Sequence, residues 1–207
     1  MRKRAVIFDW GGVLCVDPVP GLLHYCALAL DVRESELSSA VSQQMNAFTV
    51  GLPEEEFWRR VCKALHLPPP ERSLWGEALA AVYEPRLDTL ALCQELAALS
   101  VNLGLLTNTE PPSHLFHLTL GYDFFSARVF SCEDGLAKPD PAIYRLCTSR
   151  LGLEPSQCLM VDDRPVNVSG AMEAGLSAYL FRSVSELRDF LTEWLPSGIL
   201  QPSCVAK

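Results

Sequence analysis

The chain has 207 residues, 49% of them hydrophobic and 20% charged, with a formal net charge of −8. Such a composition excludes a disordered chain and leaves room for one large domain, or for a core domain carrying an inserted subdomain. The acidic balance argues against nucleic acid or an acidic membrane surface as a partner, since no basic stripe exists beyond Arg2-Lys3-Arg4.

That basic triplet mimics the opening of a signal peptide, but the apolar run after it is interrupted by Asp9 and the pair Gly11-Gly12. No run is long enough to span a bilayer, so a cytoplasmic location is expected. Ala5 to Phe8 reads as a buried strand closed by a tight turn. A mostly helical block follows: Pro20 to Leu30, Glu34 to Val50, Pro53 to His66 and Glu71 to Tyr83 carry apolar residues near helical spacing. Gly51-Leu52-Pro53 and Leu67-Pro68-Pro69-Pro70 separate these segments, the proline run reading as a rigid corner.

From Arg86 the pattern alternates. Helices are expected at Leu87 to Ser100, Ser113 to Leu120, Pro141 to Leu151, Val166 to Ala174 and Ser183 to Leu195. Strands are expected at Val101 to Leu106, Arg128 to Phe130, Cys158 to Val161 and Ser177 to Phe181. Alternation of this kind predicts an α/β fold with a doubly wound parallel sheet. The chain then divides into a core of 1–15 and 89–207, a helical insertion at 16–88 and a loose tail from 196. Its eight cysteines are scattered with no C-x-x-C pair, which reads as buried thiols in a reducing compartment rather than a zinc site.

Polar residues stand at or just past the carboxyl ends of the expected strands: Asp9, Thr107-Asn108, Lys138 and Asp162-Asp163. That edge is where open α/β sheets bind ligands. Each segment alone also reads as a turn, a loop charge or a helix cap. Together, carboxylates, a hydroxyl and an ammonium suit a divalent cation with hard oxygen ligands and a phosphate. A carboxylate can attack phosphorus, a hydroxyl and backbone N–H groups can hold phosphoryl oxygens, and an ammonium can offset the gathering charge.

The order of these segments resembles the haloacid dehalogenase-like (HAD) hydrolase superfamily across nearly the whole core. The resemblance rests on Phe8-Asp9-Trp10-Gly11-Gly12-Val13-Leu14, Gly104-Leu105-Leu106-Thr107-Asn108, Gly135-Leu136-Ala137-Lys138-Pro139-Asp140-Pro141 and Val161-Asp162-Asp163-Arg164-Pro165-Val166-Asn167. It implies a Rossmann-like core with a helical cap at 16–88 that closes over it and selects the substrate. It further implies Asp9 as nucleophile and Mg²⁺ ligand, the Gly11 carbonyl and Asp163 as further metal ligands, and Asp162 and Asn167 as supporting residues. Thr107, Asn108, Trp10, Gly11 and Lys138 would line the substrate site, which takes a small phosphorylated metabolite. Oligomeric state is left open.

The chain departs from this family at Gly11, where most of its phosphatases carry an Asp that protonates the leaving oxygen. Losing such a group costs about 10²–10⁴-fold in rate. One reading keeps a Mg²⁺-dependent phosphatase with an aspartyl-phosphate intermediate. It resembles the branch of sugar-1-phosphate phosphatases and the amino-terminal domain of soluble epoxide hydrolases, to which Gly51-Leu52-Pro53-Glu54-Glu55-Glu56-Phe57-Trp58 is also similar. An anomeric leaving oxygen, being more acidic, needs less protonation. A second reading is a 2-haloacid dehalogenase, which needs no metal; a third is a non-catalytic phospho-ligand-binding or regulatory protein. Asp17, His24, Glu110 and His114 are the candidates to replace the missing acid, while Trp10 beside the nucleophile has packing as its plain role.

Overall fold

In the computed structural model, which describes residues 3–201, Ala5–Phe8 forms β1 with all four side chains buried. Val6 and Phe8 join one apolar cluster and Ala5 and Ile7 another, as the two-residue period of a strand requires. β1 therefore separates two cores, the condition of a parallel sheet covered on both faces. β2 (Asn102–Thr107), β3 (Ala127–Phe130), β4 (Cys158–Asp162) and β5 (Ser177–Leu180) complete the sheet. All pairs are parallel, in the order β3-β2-β1-β4-β5. The expected doubly wound α/β fold is the one observed.

Five helices lie between β1 and β2's lead-in helix: α1 (Val19–Leu30), α2 (Glu34–Ser42), α3 (Met45–Thr49), α4 (Glu54–Ala64) and α5 (Leu74–Val82). α6 (Leu87–Ala98) enters the sheet, and α7 (Pro111–His117) and α8 (Ser131–Asp134) follow β2 and β3. α9 (Pro141–Arg150) and α10 (Pro165–Glu173) cover the Ile7 face, placing Ile143, Tyr144, Cys147 and Ala171 in that cluster. α11 (Val184–Trp194) and α6 contribute Leu187, Leu191, Leu92 and Leu96 to the Phe8 face. Ser183 caps α11 by accepting the Glu186 N–H at 3.3 Å, which is half of the expected capping box.

Local hydrogen bonding corrects several expectations. The single helix expected over 34–50 is two, broken at Gln43-Gln44. Ser42 Oγ donates back to the Ser39 carbonyl at 2.8 Å, a local bond that competes with helix continuation. The helix expected from Glu71 begins at Leu74, because Ser73 donates its hydroxyl to Glu54 Oε2 at 2.6 Å and the Trp75 N–H donates to Glu54 Oε1 at 2.7 Å. Residues 196–201 of the expected loose tail pack back: Leu200 is 3% exposed, within the same cluster as Leu195. Residues 202–207 lie outside the described residues. α8 and a 3₁₀ turn at Pro155–Gln157 are too short for any periodicity to announce. Six of the cysteines are buried free thiols and Cys132 is half-buried; Cys204 lies outside the described residues. Among the described residues no helix is long and apolar enough to cross a membrane.

The inserted helices have their own aromatic centre. Phe48 stacks on Phe57 at 3.9 Å, and Trp75 meets both rings edge-on at 5.2 and 5.4 Å. The insertion is tied to the core by polar bonds as well as packing. Ser131 Oγ donates to the Thr49 carbonyl at 2.7 Å, and the Tyr83 and Tyr122 hydroxyls meet at 2.9 Å.

Candidate active site

The strand order reverses at β1: the chain first builds outward through β2 and β3, then returns to the other side of β1 with β4 and β5. A crevice opens at the carboxyl ends of strands where such a reversal occurs. Asp9 follows β1, Thr107 ends β2, and Asp162-Asp163 ends β4, so the three polar segments meet there without any distortion of the strands. A cavity of about 340 Å³ opens at this edge, a size suited to a small ligand. Asp9, Gly11, Thr107, Asn108, Lys138, Asp163 and Asn167 line its floor.

Lys138 organises that floor. Its Nζ lies 2.8 Å from Asp9 Oδ1 and 2.7 Å from Asp162 Oδ2, with both lysine and Asp162 side chains almost wholly buried. The backbone that carries it is fixed by a reciprocal pair. Asn108 Nδ2 donates to the Lys138 carbonyl at 2.9 Å, and the Lys138 N–H donates to Asn108 Oδ1 at 2.8 Å. Gly170 on α10 completes the seat, since a Cβ there would fall 2.3 Å from the Pro139 carbonyl oxygen. Breaking a buried ion pair from one side strands the other charge, at a cost of about 3–5 kcal/mol.

The carboxylates do different things. Burial raises the pKa of Asp162, but Lys138, the Arg164 N–H at 2.9 Å and Asn167 Nδ2 at 3.0 and 3.1 Å outweigh it and hold the carboxyl below its ordinary range. Asp162 thus spends both oxygens on protein partners. Burial raises the pKa of Asp9; Lys138 opposes that rise and Asp162 adds to it. The same two carboxylates keep the Lys138 pKa above its usual value although burial alone would lower it. Burial and the charge of Asp162 raise Asp163. Its Oδ1 is buried with no hydrogen-bond partner among the described residues. Three carboxylates therefore face one ammonium, an excess of negative charge that a bound cation would relieve.

A divalent cation fits this place on two observations. The carboxylates of Asp9, Asp162 and Asp163 lie within 4.8 Å of one another, and of these Asp163 alone has a buried unpartnered oxygen. Gly12, at φ +78°, keeps Asp163 in position: a Cβ there would lie 2.2 Å from Asp163 Oδ2. Hard oxygen donors of this number suit Mg²⁺.

The remaining expected residues divide. Thr107 is buried on the cavity wall, its hydroxyl donating to the Asn108 carbonyl at 3.3 Å. Trp10 borders the cavity, but its ring is taken up by packing, stacked on Tyr83 at 5.6 Å and edge-on to His117 at 4.3 Å. His117 is buried so fully that its pKa falls to about 3, leaving a neutral imidazole. Of the four candidates to replace an acid, Asp17 and Glu110 line the cavity. His24 is exposed and pairs with Glu34 at 3.0 Å, and His114 lies 3.4 Å from Glu133.

Residues that carried no sequence signal complete the wall. Pro18, Val19 and Leu22 of the first inserted helix region, with Trp75 and Leu79 of α5, form an apolar roof, and Ser113 of α7 stands beneath Trp75. Helical periodicity marks such residues only as core, so no spacing singles them out. Ser113 was detectable solely as the residue three positions after Glu110, a separation at which side chains meet across a helix start.

Comparison with known proteins gives the family and the fold. The chain is 28% identical to acyl-CoA dehydrogenase family member 10 of Mus musculus over 84% of its length, which is 17% of the mouse protein. It is 29% identical to phosphatase MT3486 of Mycobacterium tuberculosis, covering 95% of each chain. It spans less than half of the mouse protein, of flavin mononucleotide hydrolase 1 of Arabidopsis thaliana and of bifunctional epoxide hydrolase 2 of Rattus norvegicus, at 17%, 42% and 38% of their lengths. A HAD family enzyme from Bacteroides thetaiotaomicron, solved with magnesium and inorganic phosphate, shares the fold at TM-score 0.69 and 20% identity, over 87% of this chain and 95% of that one. The haloacid dehalogenase-like hydrolase model matches residues 3–175, and with the strand order, the three strand-end segments and Lys138, which follows α8 rather than ending a strand, it establishes that this chain belongs to the haloacid dehalogenase-like hydrolase family.

Proposed function

We propose that this chain hydrolyses a small phosphate monoester by transferring its phosphoryl group to Asp9, with Mg²⁺ as cofactor. The observation that carries this reading is the division of labour at the sheet edge. Asp9 Oδ1 is held by Lys138 Nζ at 2.8 Å and by the Trp10 N–H at 2.7 Å, which leaves Oδ2 to attack. Asp9, Asp163 and the Gly11 carbonyl would hold the cation, which supplies charge neutralisation to the phosphoryl oxygens when bound. Lys138 favours the ionised form of Asp9 against the effect of burial, orients it, and offsets charge as phosphorus is approached. The Thr107 hydroxyl and nearby backbone N–H groups take phosphoryl oxygens, and Asn108 holds the lysine loop. Asn167 keeps Asp162 on Lys138. The inserted helices, read as a cap, roof the cavity and exclude water from the intermediate.

The names of the M. tuberculosis relative and of the magnesium- and phosphate-bound neighbour support this reading. A dehalogenase would make no use of the unpartnered Asp163 oxygen. The narrower expectation of a sugar 1-phosphate rests on Gly11, and the apolar roof adds nothing to it. Hydrolysis of an aryl phosphate with Mg²⁺ tests the function directly. Asp9→Asn is expected to lower kcat by about 10⁴–10⁶-fold, as loss of a nucleophile does elsewhere. Metal-dependent turnover that survives the substitution would overturn the assignment of Asp9. Metal-independent halide release from a 2-haloacid, or tight binding of a phosphate analogue without turnover, would replace the phosphatase reading.

A further inference from the structure

Gly11 offers no side chain to protonate a leaving oxygen, so any proton must come from elsewhere on the cavity wall. Among the described residues that line the cavity, four carry carboxyl groups: Asp9, Asp17, Glu110 and Asp163. Asp9 and Asp163 are already assigned to the nucleophile and the cation. Asp17 is exposed to solvent and spends Oδ1 on the Val19 N–H at 3.1 Å, at the start of α1. Glu110 remains, between the end of β2 and the start of α7.

Its setting is specific. Glu110 Oε2 accepts the Ser113 hydroxyl at 2.8 Å and the Trp75 indole N–H at 3.3 Å. With Oε2 accepting both donors, Oε1 is the oxygen on which an acid proton would sit. Burial raises the Glu110 pKa against the pull of Ser113 and Trp75, and no cation offsets it. Such a shift favours the protonated carboxyl, the form that can give its proton to a developing alkoxide. One of the two donors, Trp75, belongs to the inserted helix α5 and the other to the core helix α7, so the group is oriented by both halves of the cavity.

We propose that Glu110 is the general acid and base of this enzyme, taking the place of the group absent at Gly11; this rests on the phosphatase reading given above. As Asp9 Oδ2 bonds to phosphorus, the bond from phosphorus to the ester oxygen breaks, and its electron pair stays on that oxygen. The oxygen takes the Glu110 proton and leaves as an alcohol. The Glu110 carboxylate then accepts a proton from a water whose oxygen attacks the phosphoryl group. The Asp9–phosphorus bond breaks with its electrons returning to Asp9, inorganic phosphate departs, and Glu110 is protonated again. With such an acid in place, an unactivated alcohol serves as leaving group.

Glu110→Gln keeps an acceptor oxygen for Ser113 and Trp75 but has no acid proton, so leaving-group dependence separates chemistry from packing. Wild type and variant are compared on 2,4-dinitrophenyl, 4-nitrophenyl, phenyl and alkyl phosphates with Mg²⁺, with circular dichroism and thermal melting as the check on folding. The expected result is a kcat/KM loss of about 10²–10⁴-fold on phenyl and alkyl phosphates, shrinking below about tenfold on the dinitrophenyl ester, whose leaving oxygen needs no proton, because kcat/KM reports phosphoryl transfer to Asp9 and not the later hydrolysis common to all the esters. A kcat/KM loss that is uniform across the series, including one that comes from KM alone, overturns the role of Glu110 and leaves the phosphatase reading standing. So does a steep leaving-group dependence that follows Asp17→Asn instead. Absence of turnover by the wild type on every ester overturns both.

Discussion

The floor and the roof of the cavity are built on opposite principles. Charges and hydrogen bonds between named partners hold the floor: Lys138 between Asp9 and Asp162, Asn108 clamped on the lysine backbone, Asn167 on Asp162, with one Asp163 oxygen left unpartnered among the described residues. The roof is apolar, and its order comes from the packing of Trp75 against Phe48 and Phe57, with Glu54 accepting the Trp75 backbone N–H. On the proposed function, the difference separates reaction from recognition: fixed charges on a rigid sheet edge would carry the chemistry, and a shape made of side-chain packing would set what fits above it. Among the described residues, Glu110 is the lining carboxyl that bonds both to the core helix α7, through Ser113, and to the inserted helix α5, through Trp75.

Variants on each side can break or sharpen that contrast. Lys138→Met is expected to have the largest effect on stability, about 3–5 kcal/mol in denaturant unfolding, because Asp162 is left buried without its cation. A loss below about 1 kcal/mol would show that the floor is not held by this pair. Trp75→Ala is expected to cost about 3 kcal/mol through the cavity it opens in the aromatic cluster. Its signature differs: KM for a small aryl phosphate rises while metal dependence is retained. Should Mg²⁺ dependence shift in Trp75→Ala as it does in a floor variant, the separation of floor from roof fails. Gly12→Ala is the mildest in stability, about 1–3 kcal/mol for a positive φ, yet it drives a methyl into the Asp163 carboxylate. The Mg²⁺ concentration giving half-maximal activity is expected to rise; an unchanged value would remove Asp163 from the cation site.

Much of the floor was legible in the sequence. Apolar runs ending in Asp9, Thr107 and Asp162 mark strands whose carboxyl ends share one edge, and a parallel sheet brings such ends together by construction. The roof was not legible, because Leu22, Trp75 and Leu79 obey the same helical periodicity whether they face a ligand or a core. The break at Gln43-Gln44 and the late start of α5 escaped for a related reason: hydroxyls of Ser42 and Ser73 found local or cross-helix acceptors that no hydrophobic pattern records.

The sequence by itself determined the strand ends, the helical insertion between the first strand and the rest, and the lack of a carboxylate at residue 11. These are local properties of composition and period. Tertiary structure alone decided which acid does what. It engaged both oxygens of Asp162 with Lys138, Arg164 and Asn167, left an oxygen of Asp163 without a partner, and set Glu110 rather than His24 or His114 on the cavity wall. The reason is physical: a carboxyl group's role follows from its burial and from partners that the fold brings in from distant parts of the chain, and neither is written in its neighbours along the sequence.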